Sequence, residues 1–217
     1  MYHYIPNNLN KNLENYYSYN YGATCVLFFI TILISYFSDK SYFKGIITIF
    51  IASFITWYCH YAMHLYPYFP ISKIHNLTHH SPFSQTLIGK LLEYFIIEFI
   101  FFGAGLLLLL VIFFYKFFGF YILNPYILFF WASSVPLVHE FYYHQSDKNN
   151  IHKMHHKNNL TNLGPDIWDL LMKTKNIDTK IEDETTISLI MLVWAIILIP
   201  FIGSKFDIIK YLSKTKA

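Results

Sequence analysis

The sequence has no arginine and little charge of any kind. Asp, Glu and Lys make up only 13% of its 217 residues, about half the share of an ordinary soluble domain. All 16 cations are Lys, and the formal net charge is only +3. Without a basic block, a nucleic-acid-binding role is a poor reading. Such a low charge density also excludes a disordered chain. Cysteine is scarce, with two residues, Cys25 and Cys59. Two cannot form a disulfide framework, and both sit in apolar runs where Cys acts as a small hydrophobe. The first 21 residues show no basic start followed by an apolar stretch, so no cleaved signal peptide is expected.

What is abundant is apolar surface. Apolar residues reach 55% and aromatics 21%, with 22 Phe and 19 Tyr. One small soluble core could not hide that much. Apolar runs fall at Gly22–Phe37, Gly45–Trp57, Leu91–Phe114, Tyr121–Val138 and Ile187–Ile202. The first two lie near the lower length limit for a spanning helix. Short polar breaks join the first pair and the second pair. The expected fold is therefore all-α: an integral membrane bundle of about four spanning helices, as two hairpins, with a histidine-rich helical cap. Residues 1–21 read as a polar tail, 22–203 as a single membrane domain and 204–217 as a basic tail. The last apolar run fits no parity and is left as spanning, re-entrant or interfacial. Two hairpins put both tails of polar sequence that carry His, 60–90 and 139–184, on one side. Lys placement makes that side cytosolic.

Histidine is the residue out of proportion. There are 11, and ten lie between positions 60 and 156. They form four groups: His60 and His64; His75, His79 and His80; His139 and His144; His152, His155 and His156. Spacings of three and four share one helix face. The HEFYYH pair, five apart, is about 140° apart on an α-helix and needs a break to share a target. Ten imidazoles suit two first-row metal ions better than one, and imidazole suits iron, zinc or copper. His3 stands apart and reads as an ordinary surface residue. Glu140, Asp166 and Asp169 are candidates to orient ligating imidazoles. Cys59 points to another helix face than its neighbour His60. Glu93 and Glu98 are carboxylates inside an apolar run, where an ionisable group suggests function.

The motifs HYAMH, HNLTHH and HKMHH, in that order, resemble the three histidine boxes of the fatty acid hydroxylase / sterol desaturase superfamily. The resemblance covers about 55–175 and includes a membrane hairpin between the second and last boxes. Asn162, Gly164, Trp168, Asp169 and Thr174 are similar to that family's closing segment. Leu163 stands where the family has an aromatic residue, and Met172-Lys173 where it has Phe-Gly. The resemblance implies a non-haem di-iron oxygenase that hydroxylates, or desaturates, a fatty acyl chain or sterol. It implies two iron ions, with zinc as an alternative occupant. It further implies O2, a cytochrome b-type electron donor, a nicotinamide-dependent reductase and an endoplasmic reticulum membrane. Phe54, Phe95, Phe99 and Trp131 are candidates to line a tunnel for the lipid. Two alternatives are a membrane metal transporter or metal-binding protein, and an inactive zinc-holding member of the family.

Overall fold

The computed structural model describes residues 3–144 and 150–214, without the side chains of His144 and Asn150. Ordered elements among them are helical apart from one isolated bridge, His3 with Lys180. Two helices are long and apolar enough to cross a membrane: α1, Leu9–Phe37, and α2, Tyr42–Leu65. Their lipid-type surface is bare. Phe28, Phe29, Phe43 and Phe50 on these two helices are exposed, as are Phe113 and Ile196 elsewhere. An apolar belt of this kind marks a surface that meets something other than water.

Helix α1 starts at Leu9, so most of the expected polar tail is helix. Its first turns bury Asn12, Tyr16 and Asn20. The backbone bends at Asn20 (φ −102°, ψ 17°). There the Asn20 amide donates to the Glu182 carbonyl at 2.9 Å and accepts the Glu184 N–H at 3.0 Å. Polar residues in the helix thus hold a distant segment instead of facing solvent.

Helix α3 is Pro70–Thr78, and a 3-10 turn follows at Pro82–Gln85. The expected span 91–114 is not one rod. Helix α4, Leu87–Leu92, widens into a π-helix over Glu93–Phe102, and α5, Gly105–Phe118, leaves it at 60°. Gly103 makes the corner possible: a Cβ there would lie 2.5 Å from Ala132 Cα. Ala104 then takes a left-handed φ of 60°. Helix α6, Pro125–Val138, contains Pro136 and also passes into a π turn, His139–His144. Pro136 lacks an N–H and disturbs the helical bonds behind it, which favours a wider turn after it.

Helices α7, Asn150–Lys157, and α8, Asp166–Leu171, lie between the apolar elements. Helix α9, Thr185–Leu198, packs on α1 and α6, with Met191, Ala195 and Leu198 buried in the main core. It starts beside Asn20 and runs antiparallel to α6: Trp194 donates to Ser133 at 2.7 Å, and Tyr126 donates to Asp207 beyond its end at 2.8 Å. Helix α10, Ile208–Ser213, follows. The last apolar run therefore traverses the bundle. It carries Lys205, Lys210 and Lys214 to the end opposite the histidines.

Ile30, Ile34, Ala52, Ile127, Leu128 and Phe130 form the centre of the core, all fully buried. At the end away from the histidines a polar knot closes the bundle. Asn124 caps α6 through its side-chain oxygen, and its amide donates to Ser38 and Asp39 at 2.9 and 3.1 Å.

Candidate metal centre

Every histidine with a described side chain between positions 60 and 156 converges on one place. Four triplets hold potential ligand atoms within 4.8 Å of one another: His60, His64 and His75; His64, His80 and His155; His79, His139 and His152; His79, His80 and His156. His60 and His64 lie one turn apart at the end of α2, with ring centroids 5.1 Å apart. Helix α3 carries His75 to its last turn, and the chain leaves it at His79 and His80. Helix α7 presents His152 and His156 together, their Nε2 atoms 3.0 Å apart. His139 opens the π turn after α6.

That turn alters the expectation for the HEFYYH pair. A π-helix bonds i to i+5, so residues five apart return to one side. His144 closes the turn in the backbone, but its side chain lies outside the described residues. The same five-residue repeat operates in 93–102. It stacks Glu93 and Glu98, which are 3% and 1% exposed. Both reach imidazoles: Glu93 Oε1 lies 3.0 Å from His79 Nδ1, and Glu98 Oε1 lies 2.5 Å from His139 Nδ1. Thr78 donates to the second oxygen of Glu93. These are the imidazole partners that sequence spacing hid. The signal was present, since the two Glu are five apart, but only a π turn makes that spacing one face.

The other candidate carboxylates sit further back. Glu140 accepts the Tyr94 hydroxyl. Asp166 pairs with Lys175 and accepts the Glu182 N–H at 3.0 Å. Asp169 accepts the N–H of Leu163 at 3.1 Å and of Gly164 at 2.8 Å, and the Thr174 hydroxyl at 2.6 Å. It acts on the cluster through one residue, because the Leu163 carbonyl meets His60 Nδ1 at 2.8 Å. Burial first, then the neighbouring Asp166, pushes the Asp169 carboxyl up to about 6. Trp168 donates to Ser53 at 3.1 Å, and Trp57 donates to Thr174 at 3.0 Å, which fastens this segment to α2.

Four of the imidazoles are held toward the neutral form that can ligate a metal. Burial, followed by neighbouring imidazoles, lowers His80 to about 2 and His155 to about 3. The same two causes hold His75 and His79 well below their ordinary value. Neutral rings keep a free lone pair. Among the described residues, the buried ring nitrogens without a hydrogen-bond partner in the protein include Nε2 of His60, His79, His80 and His155, and Nδ1 of His75. One such orphan costs about 1–3 kcal/mol. Five in one nest make a donor set that fits metal ions. Several of the histidine groups could hold one.

Comparison of the chain with family models, curated proteins and solved structures returned no match. The site rests on its own geometry.

A cavity of about 220 Å³ opens against the cluster. His60, His79, His139 and His152 form one wall, and Leu27, Trp131, Val135, Val138, Ile187 and Met191 give an apolar one. Of the four aromatics expected to line a tunnel, only Trp131 does so. Phe54 stacks on Trp57 and meets Trp168 edge-on instead. Phe95 is 63% exposed, and Phe99 packs toward Phe129 at 6.2 Å. The π winding of 93–102 rotates Phe95 and Phe99 away from the face that carries Glu93 and Glu98.

Proposed function

We propose that this protein is a membrane-bound non-haem di-iron oxygenase that hydroxylates, or desaturates, a lipid chain or sterol. The observation that carries the reading is the convergence of nine imidazoles on a cavity with an apolar wall. Side chains alone do not oxidise unactivated C–H bonds, whereas a pair of iron ions supplies that O2-dependent chemistry. The ligands would be His60, His64, His75, His79, His80, His139, His152, His155 and His156, with His144 as the tenth. Glu93 and Glu98 orient two of these rings. The apolar wall receives the chain and keeps water from the site. Thr56 ties the wall together, accepting the Trp131 N–H at 2.8 Å and donating to the Phe102 carbonyl at 2.5 Å.

The proposal extends to the surroundings. Four or more apolar segments make a multi-pass bundle, with the histidine end on the cytosolic side of the endoplasmic reticulum membrane. Electrons come from a cytochrome b-type carrier and a nicotinamide-dependent reductase. A transport role is less favoured, because transporters bind their ions near the bilayer midplane. Here the ligands gather at the end of α2 and beyond it.

The deciding experiment has two parts. Metal is counted per chain in purified protein, and lipids are profiled in cells with and without the gene. Two irons with an oxygen-dependent change in one lipid class support the oxygenase. Metal flux into vesicles without oxygen use would identify a transporter. Zinc with no lipid change would identify an inactive member of the family.

A further inference from the structure

The cluster divides at His80 into two lobes that the protein supports in different ways. One lobe contains His60, His64, His75 and His155. Two of its rear nitrogens meet neutral backbone. His60 Nδ1 donates to the Leu163 carbonyl at 2.8 Å, and His155 Nδ1 to the Thr161 carbonyl at 3.0 Å. A carbonyl can only accept, so both rings must present Nε2 as the ligand atom. The other lobe contains His79, His139, His152 and His156. Two of its rear nitrogens meet buried carboxylates, His79 with Glu93 and His139 with Glu98.

These two kinds of support differ in strength. A carboxylate behind an imidazole fixes its orientation and raises its basicity as a ligand. It also brings negative charge close to the ion in a low-dielectric interior, where charge acts over a longer range than in water. A carbonyl fixes the ring but adds no charge. The asymmetry is built in by the backbone: the π-helix aligns Glu93 and Glu98 behind one lobe only.

We infer that the two metal positions are unequal, with the carboxylate-backed lobe taking a divalent first-row ion first and holding it more tightly. The carbonyl-backed lobe fills second and empties first. Glu93 and Glu98 are positioning residues for one ion, not ligands to it. The inference rests on the two-ion reading of the cluster, but not on oxygen chemistry.

The test uses the full chain in detergent, stripped with a chelator and titrated with Co(II) under anaerobic conditions. Cobalt absorption reports each binding step and its coordination. Two steps at least about tenfold apart in affinity are expected. Glu98→Gln should weaken the tighter step by about 10–100-fold and shift its spectrum, leaving the weaker step in place. His155→Ala should do the reverse, removing the weaker step. Glu93→Gln repeats the comparison should Glu98→Gln fail to fold, with circular dichroism as the control. Two equal steps, a single ion per chain, or Glu98→Gln and His155→Ala striking the same step would overturn the inference. No lipid or O2 enters the titration. Unequal steps in a protein that oxidises no lipid would sink the oxygenase reading alone. Equal steps in an active enzyme would sink only the inequality.

Discussion

At the residue scale, His79 carries the most weight, because it belongs to two of the four triplets and is only 8% exposed. Replacing it by Ala removes a ligand and leaves Glu93 buried without its imidazole. His79→Ala should lower lipid oxidation to background and reduce bound metal, read by elemental analysis of the purified variant. Retained activity in both His79→Ala and His155→Ala would refute the ligand assignment. A second residue speaks to stability. Lys173 stands where the resembled family has Gly, and its φ is +60°. A side chain in the left-handed region costs roughly 1–2 kcal/mol. Lys173→Gly should therefore stabilise the protein by about 1 kcal/mol after the added freedom of the unfolded chain is counted. Thermal unfolding should show a rise of about 2–4 °C. The substituted position was visible in the sequence, whereas the strain at it needed the backbone.

At the scale of elements, the apolar runs announced α1, α2, α6 and α9, but composition could not show the corner in the third run. LLLLLVIFF reads as a continuous helix at any period. What bends the chain is a close approach, Gly103 against the backbone of Ala132, which depends on where α6 lies. Gly103→Val would push a side chain into that backbone, which cannot yield as a flexible side chain would. A loss of about 1–3 kcal/mol is expected, seen as a lower unfolding temperature. Activity should fall with it, because the same corner sets the register of Glu93 and Glu98 against His79 and His139. The π turns belong to this scale too. Spacing arguments that assume 3.6 residues per turn put residues five apart on different faces, and here that rule failed for Glu93 and Glu98.

At the scale of the whole molecule, the buried imidazoles tie stability to pH. An unfolded His titrates at its ordinary value of 6.5, while His155 is held at about 3 and His80 at about 2. Between those values the unfolded chain binds more protons than the folded one, so stability falls as pH drops. Through these rings the metal-free protein should lose stability progressively from pH 6.5 toward pH 3, as followed by circular dichroism, with the raised carboxyl of Asp169 opposing the loss in part. A flat profile over that window would mean that the rings are not buried neutral. Topology gives a second check. Since α9 traverses the bundle, Ser204→Cys and Lys153→Cys, made in a background without Cys25 and Cys59, should label from opposite sides of a sealed vesicle. Labelling from the same side would place α9 within one leaflet. By itself the sequence determined the membrane-type composition, the helical class and the residue type that gathers at the candidate site. Each follows from short-range pattern: long uncharged runs, and imidazoles at helical spacing. Only the tertiary structure decided that His60 and His155 meet, that carboxylates back one half of the cluster, and that Trp131 but not Phe54, Phe95 or Phe99 faces the cavity. Those outcomes depend on where helices cross, bend and change pitch, and packing between distant segments sets that, not the local order of residues.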